Sequence, residues 1–96
     1  MHIDRIQIPP SRADHLWHAH QVTPEEVYEA FEDEGLQIWH MASQPLDERP
    51  GSVYWAYGQA SNGRLLAVLF RYYPDHNIYV ITARNMDVRE QRRYRR

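Results

Sequence analysis

The chain has 96 residues, a mass of 11.5 kDa, 43% hydrophobic and 25% charged residues, and a net charge of −2. A chain this long supports one modest core, so a single domain over residues 1–96 is expected. No apolar run is long enough to span a bilayer, and Met1-His2-Ile3-Asp4-Arg5 does not read as a secretory signal. The lack of cysteine excludes disulfides, cysteine-ligated zinc and thiol catalysis, and the expected location is the cytoplasm.

In chain order, Ile3, Ile6 and Ile8 alternate loosely within residues 2–8, which fits a short edge strand. Pro9-Pro10 ends it, and Ser11 is placed to cap a helix with the stripe Ala13, Leu16, Trp17 and His20. After a break at Gln21-Val22, Thr23-Pro24-Glu25-Glu26 is a capping box with proline at the first helical position. Val27, Ala30 and Phe31 form the buried stripe of this second helix, whose carboxylates are expected to face water. Beyond Gly35 the period changes to that of strands. These are expected over 36–40, over 52–58 with Val53, Trp55 and Tyr57 on one face, over 65–70 and over 78–82. Residues 42–51 read as a polar loop, Ser61-Asn62-Gly63 as a hairpin turn and 74–77 as a second turn. Asp87-Val88-Arg89-Glu90 opens a last helix. The expected fold class is therefore α+β: two N-terminal helices, an antiparallel meander of about four strands, and a C-terminal helix.

Charge is unevenly placed. Residues 25–34 hold six carboxylates and no base, whereas residues 84–96 hold six arginines against Asp87 and Glu90. An acidic element and a basic end on one small domain suggest two partners, or one partner and a substrate. All eleven basic residues are arginine, which codon bias explains without any appeal to phosphate binding.

A few residues could carry chemistry. His20 ends the first helix, either as a core histidine satisfied by one hydrogen bond or as a general acid or base. His15 and His18 are three apart, a spacing that can share a metal, but no third ligand is clearly placed, so no metal is expected. Arg64 and Arg84 flank strands. They read as solvated strand-end residues or as guanidinium forks for phosphate. Arg89, Arg92 and Arg93 could follow an RNA backbone, or form part of a solvated face. The many aromatic residues suit sheet packing, and one or two exposed members could stack on bases. Glycine-rich phosphate loops, serine nucleophile elbows and paired carboxylates are absent from the sequence.

Three stretches carry a resemblance: His20-Gln21-Val22-Thr23-Pro24-Glu25-Glu26-Val27; Tyr57-Gly58 through Asn62-Gly63-Arg64-Leu65-Leu66-Ala67-Val68; and Ile81-Thr82-Ala83-Arg84 with Arg89-Glu90 and Tyr94. In this order over roughly residues 12–96, the chain resembles the BrnT-type toxins of bacterial toxin–antitoxin pairs, which have the RelE-like ribonuclease fold. The resemblance implies an endoribonuclease that needs no metal or other cofactor. It implies RNA as substrate and a ribbon-helix-helix antitoxin as partner, with operator DNA bound only through the antitoxin. It assigns proton transfer to His20 and phosphate contact to Arg64 and Arg84, with Tyr94 or a sheet tyrosine assisting. Ala19 and Gln21 stand where the family has lysine and glycine. That departure motivates a second expectation, a catalytically inactive module that binds an antitoxin and acts as a co-repressor. A third is a structural nucleic-acid-binding domain that uses the basic end without cleavage.

Overall fold

The computed structural model describes residues 1–41 and 51–95, so most of the expected 42–51 loop lies outside the described residues. The described elements are β1 (Arg5–Gln7), α1 (Pro10–His20), α2 (Pro24–Phe31), β2 (Gln37–His40), β3 (Ser52–Gln59), β4 (Leu65–Tyr72), β5 (Asn77–Asn85) and α3 (Val88–Tyr94). They form an α+β fold around one five-stranded mixed sheet of order β1-β5-β4-β3-β2. The expected antiparallel meander is β2 to β5. The N-terminal segment adds a fifth strand, β1, at the edge and parallel to β5.

Local chemistry explains most boundaries. Pro9 is extended and Pro10 opens α1, with the Pro9 carbonyl accepting from the Arg12 and Ala13 N–H groups. Ser11 lies inside the helix and is not its cap. A proline at the first position has φ already set for the helix and lacks only an N–H that would be unpaired there. Gln21 closes α1 in the left-handed region (φ 54°). Both expected capping boxes are present, Thr23 with Glu26 on α2 and Asp87 with Glu90 on α3. In the β3–β4 turn Gly63 has φ 90°, a conformation that favours glycine.

The main core lies between the sheet and helices α1 and α2. Leu16, Val22, Val27 and Ala30 pack on Ala56, Leu66, Val68, Phe70, Ile78, Val80 and Ala83, and Phe31 meets Phe70 edge-on at 5.5 Å. Gly58 lets α2 lie directly on β3, since a Cβ there would be 2.2 Å from the Ala30 carbonyl oxygen. The expected stripe on α1 is narrower than the spacing implied. Leu16 is buried, but Trp17 is 53% exposed. Val53, Trp55 and Tyr57 do share a face, but Trp55 and Tyr57 belong to a second, smaller cluster with Leu65, Ala67, Met86 and Tyr94 of α3. On β3, the main core takes Tyr54 and Ala56.

The α2 carboxylates require a correction. Glu25, Glu32 and Glu34 are exposed as expected, but Glu26 and Glu29, with Asp33 just past the helix, recur at helical spacing and turn toward the β3–β4 hairpin. Glu26 meets Arg64 and Asn62, Glu29 accepts from the Ser61 N–H at 3.1 Å, and Asp33 accepts from the Gln59 N–H at 2.9 Å. The Gln59 and Ser61 N–H groups lie at the end of β3 and in the turn that follows, and the two carboxylates supply them with acceptors.

Candidate functional site

The C-terminal turn of α1 and the end of β5 face each other across a cleft of about 440 Å³, lined by His18, Ala19, His20, Gln21, Arg84 and Asn85. His20 is half-buried there, with the exposed His15 ring edge-on to it at 6.0 Å. Among the described residues there is no group of three or more histidine, aspartate or glutamate side chains able to hold a metal ion.

Arg64 lies beneath this cleft and holds its wall. Its Nη2 donates to the His20 carbonyl at 2.8 Å, its Nη1 to the Gln21 carbonyl at 2.6 Å, and its Nε to Asn85 Oδ1 at 2.7 Å. Nη1 also forms an ion pair with Glu26 at 3.2 Å. The last carbonyls of a helix have no partner within it, and a cation is well placed to supply one. Burial pushes the Glu26 carboxyl up, but bonds from the Thr23 N–H, Asn62 and Arg64 outweigh it and bring it below the ordinary carboxylate value.

Arg84 lines the cleft itself. It makes a two-pronged contact with Glu90 of α3, at 2.6 and 3.0 Å, and donates from Nη1 to the Asn85 carbonyl. The hydrogen bond to Glu90 leads the effects that hold its guanidinium above the ordinary arginine value. Its guanidinium also lies 4.8 Å from the centre of the Trp55 ring. Neighbouring Tyr57 is pushed up by burial and by Glu90.

The other expected residues lie on α3. Tyr94 donates its hydroxyl to Asp33 and is pushed up to about 12 by burial and by that carboxylate. It secures α3 to the end of α2 and is not among the residues lining the His20 cleft. Arg89, Arg92 and Arg93 line a separate open cleft of about 410 Å³ with Asp87 and Glu90, and the Arg93 guanidinium lies over Trp39 at 4.5 Å.

Thus the fold brings together His20 and Arg84, supports both through Arg64 and Asn85, and leaves Tyr94 apart. Sequence reasoning missed Glu90 as the partner of Arg84, because its capping-box position already accounts for it. It also missed Asn85 and the Trp39 and Trp55 pairings, which depend on strand register. No family model matches the chain, and no curated protein matches it significantly. The resemblance drawn from the sequence therefore rests on the order of its motifs alone. None of the described helices is long and apolar enough to cross a membrane.

Proposed function

We propose that this protein is an endoribonuclease toxin of a toxin–antitoxin pair. One observation carries the reading: His20 and Arg84, 64 positions apart in the sequence, line the same cleft. In the proposed reaction a ribose 2′-oxygen attacks the adjacent phosphorus and the P–O5′ bond breaks, leaving a 2′,3′-cyclic phosphate and a 5′-hydroxyl. His20 takes the 2′-hydroxyl proton, and a proton from water completes the leaving 5′-oxygen. Arg84 faces the charge that develops on the phosphoryl oxygens. Arg64 acts one step back, by holding the backbone that carries His20. A ribbon-helix-helix antitoxin would silence the toxin and carry the pair to operator DNA.

One observation favours a second reading, a non-catalytic antitoxin-binding module. Arg84 and Arg64 already have carboxylate partners, Glu90 and Glu26, and Ala19 adds no cation to the cleft. Tightly induced expression in a bacterium separates the two, with wild type beside His20→Ala and Arg84→Ala and total RNA run on a gel. Growth arrest and RNA loss from wild type, with at least about 100-fold slower cleavage in Arg84→Ala, is the expected outcome. Normal growth and intact RNA with soluble, folded wild type would overturn the ribonuclease reading in favour of the binding module.

A further inference from the structure

The sheet face opposite α1 and α2 carries two tryptophan–arginine pairs in register. Trp39 and Trp55 are directly opposed cross-strand partners in β2 and β3. Arg93 lies over the first ring at 4.5 Å and Arg84 over the second at 4.8 Å. Both pairs are held in place. Trp39 Nε1 donates to Gln37 Oε1 at 3.2 Å, and Gln37 Nε2 donates to the Tyr94 carbonyl at 3.0 Å, so one side chain orients the ring and the end of α3 together. Glu90 fixes Arg84 from two sides. The α3 helix is therefore secured by Gln37, by Arg84–Glu90 and by Tyr94–Asp33 without need of the rings, yet Trp39 remains 41% exposed beside a guanidinium.

We infer that Trp39 and Trp55, with Arg93 and Arg84, form a stacking platform for single-stranded RNA. The inference rests on the ribonuclease reading and adds to it where the substrate lies. Arg84 belongs both to the His20 cleft and to the Trp55 pair, so the platform is continuous with the candidate active site. From β5 to β2 the path crosses three strand spacings, about 14 Å. Rings and cations along such a path suit unpaired bases and their phosphates, because every base has a π-face and each phosphate a charge. A duplex hides its base faces and offers only its backbone, so the platform selects single strands.

The test uses the Trp17→Phe variant, which leaves tryptophan emission to Trp39 and Trp55 alone. The probe is a mixed-sequence 2′-O-methylated oligoribonucleotide, which cannot be cleaved by 2′-oxygen attack, and the control is the same strand in a duplex. Saturable quenching at low salt by the single strand, with far weaker binding of the duplex, is expected. Trp39→Leu in the same background, with an unchanged circular dichroism spectrum, should bind about 10- to 100-fold more weakly by anisotropy of a labelled probe. Equal binding of the duplex, undiminished binding by Trp39→Leu, or no quenching would overturn the platform, the last assigning this face to a protein partner. Cleavage of unmodified RNA is scored separately. Cleavage without quenching refutes the platform and spares the ribonuclease, while quenching without cleavage upholds the platform and refutes the ribonuclease.

Discussion

Replacing Arg64 by alanine tests whether this side chain is a structural brace or a free phosphate ligand. The substitution removes bonds to the His20 and Gln21 carbonyls and to Asn85, and leaves Glu26 without its cation. A charge-assisted hydrogen bond contributes about 1.5–3 kcal/mol, and breaking a fully buried ion pair costs about 3–5 kcal/mol. The pair is not fully buried, with side chains 23% and 13% exposed, and Glu26 keeps its bonds from Thr23 and Asn62. The expected loss is therefore about 2–3 kcal/mol, below the sum of the parts. For a domain of this size that lowers Tm by about 10–20 °C. Thermal unfolding followed by circular dichroism near neutral pH measures it. The Glu26 carboxyl is held below its ordinary value, so its contribution is present above that value and is lost as pH falls below it. The gap between wild type and Arg64→Ala should accordingly narrow in strong acid, where only the carbonyl and Asn85 bonds distinguish them. A variant melting within about 2 °C of wild type would refute the brace and return Arg64 to the phosphate-ligand role.

Other positions give sharper tests of the packing. Gly58→Ala should destabilise by roughly 3 kcal/mol or more, since its Cβ would sit 2.2 Å from the Ala30 carbonyl oxygen; a denaturant midpoint equal to wild type would contradict that close approach. Thr82→Val should stabilise by about 1 kcal/mol, because the buried Thr82 hydroxyl has no hydrogen-bond partner among the described residues and valine keeps its shape; a lower Tm would show that the hydroxyl is satisfied in solution. Gln21→Gly should raise Tm modestly, by relief of about 1 kcal/mol of left-handed backbone strain, and a fall would mean that the Gln21 side chain outweighs the strain. Tyr94, pushed up to about 12, favours the fold below the ordinary tyrosine value and loses that contribution as pH rises toward 12. Ultraviolet titration of the phenolates should show late tyrosines, Tyr94 beside the also raised Tyr57, of which one moves down in Asp33→Asn, and an unmoved titration in that variant would rule out the Asp33 contact as a cause.

Much of the fold was legible because its signals are local. The two capping boxes, the asparagine-glycine turn and the apolar run of β4 each act within a few residues, and each named its element correctly. The parallel docking of β1 was not legible. A three-residue strand has no pattern that distinguishes a parallel from an antiparallel partner, and Arg5 pairs with Asn77, far along the chain. The side of the sheet was also hidden. Alternation in β3 separates Val53, Trp55 and Tyr57 from Tyr54, Ala56 and Gly58, but both sets are apolar or small. Only the helices decide which set meets the larger core, and Gly58 decides how closely α2 approaches it.

The site was legible as a set of residue types and not as a network. Arginines at 64 and 84 look alike in the sequence, each beside a strand end. Register separates them. Arg64 lies against the end of α1, where bare carbonyls and Glu26 meet it, while Arg84, at the rim of the His20 cleft, directs its guanidinium toward Trp55 and Glu90. The acidic stripe on α2 and the acidic cap of α3 therefore do related work. Glu26 binds the arginine that braces His20, and Glu90 binds the arginine that borders its cleft. Loss of the negative charge at these two glutamates should consequently have different effects. Glu26→Lys sets a second cation beside the largely buried Arg64 and should lower stability foremost. Glu90→Gln keeps a hydrogen-bond acceptor, removes one negative charge beside Arg84, and should strengthen RNA binding while costing little in fold. Salt-dependent binding of the non-cleavable RNA probe, measured for Glu90→Gln beside wild type, tests this. Weaker binding by the variant would mean that Glu90 orients Arg84 for its ligand more than it neutralises it.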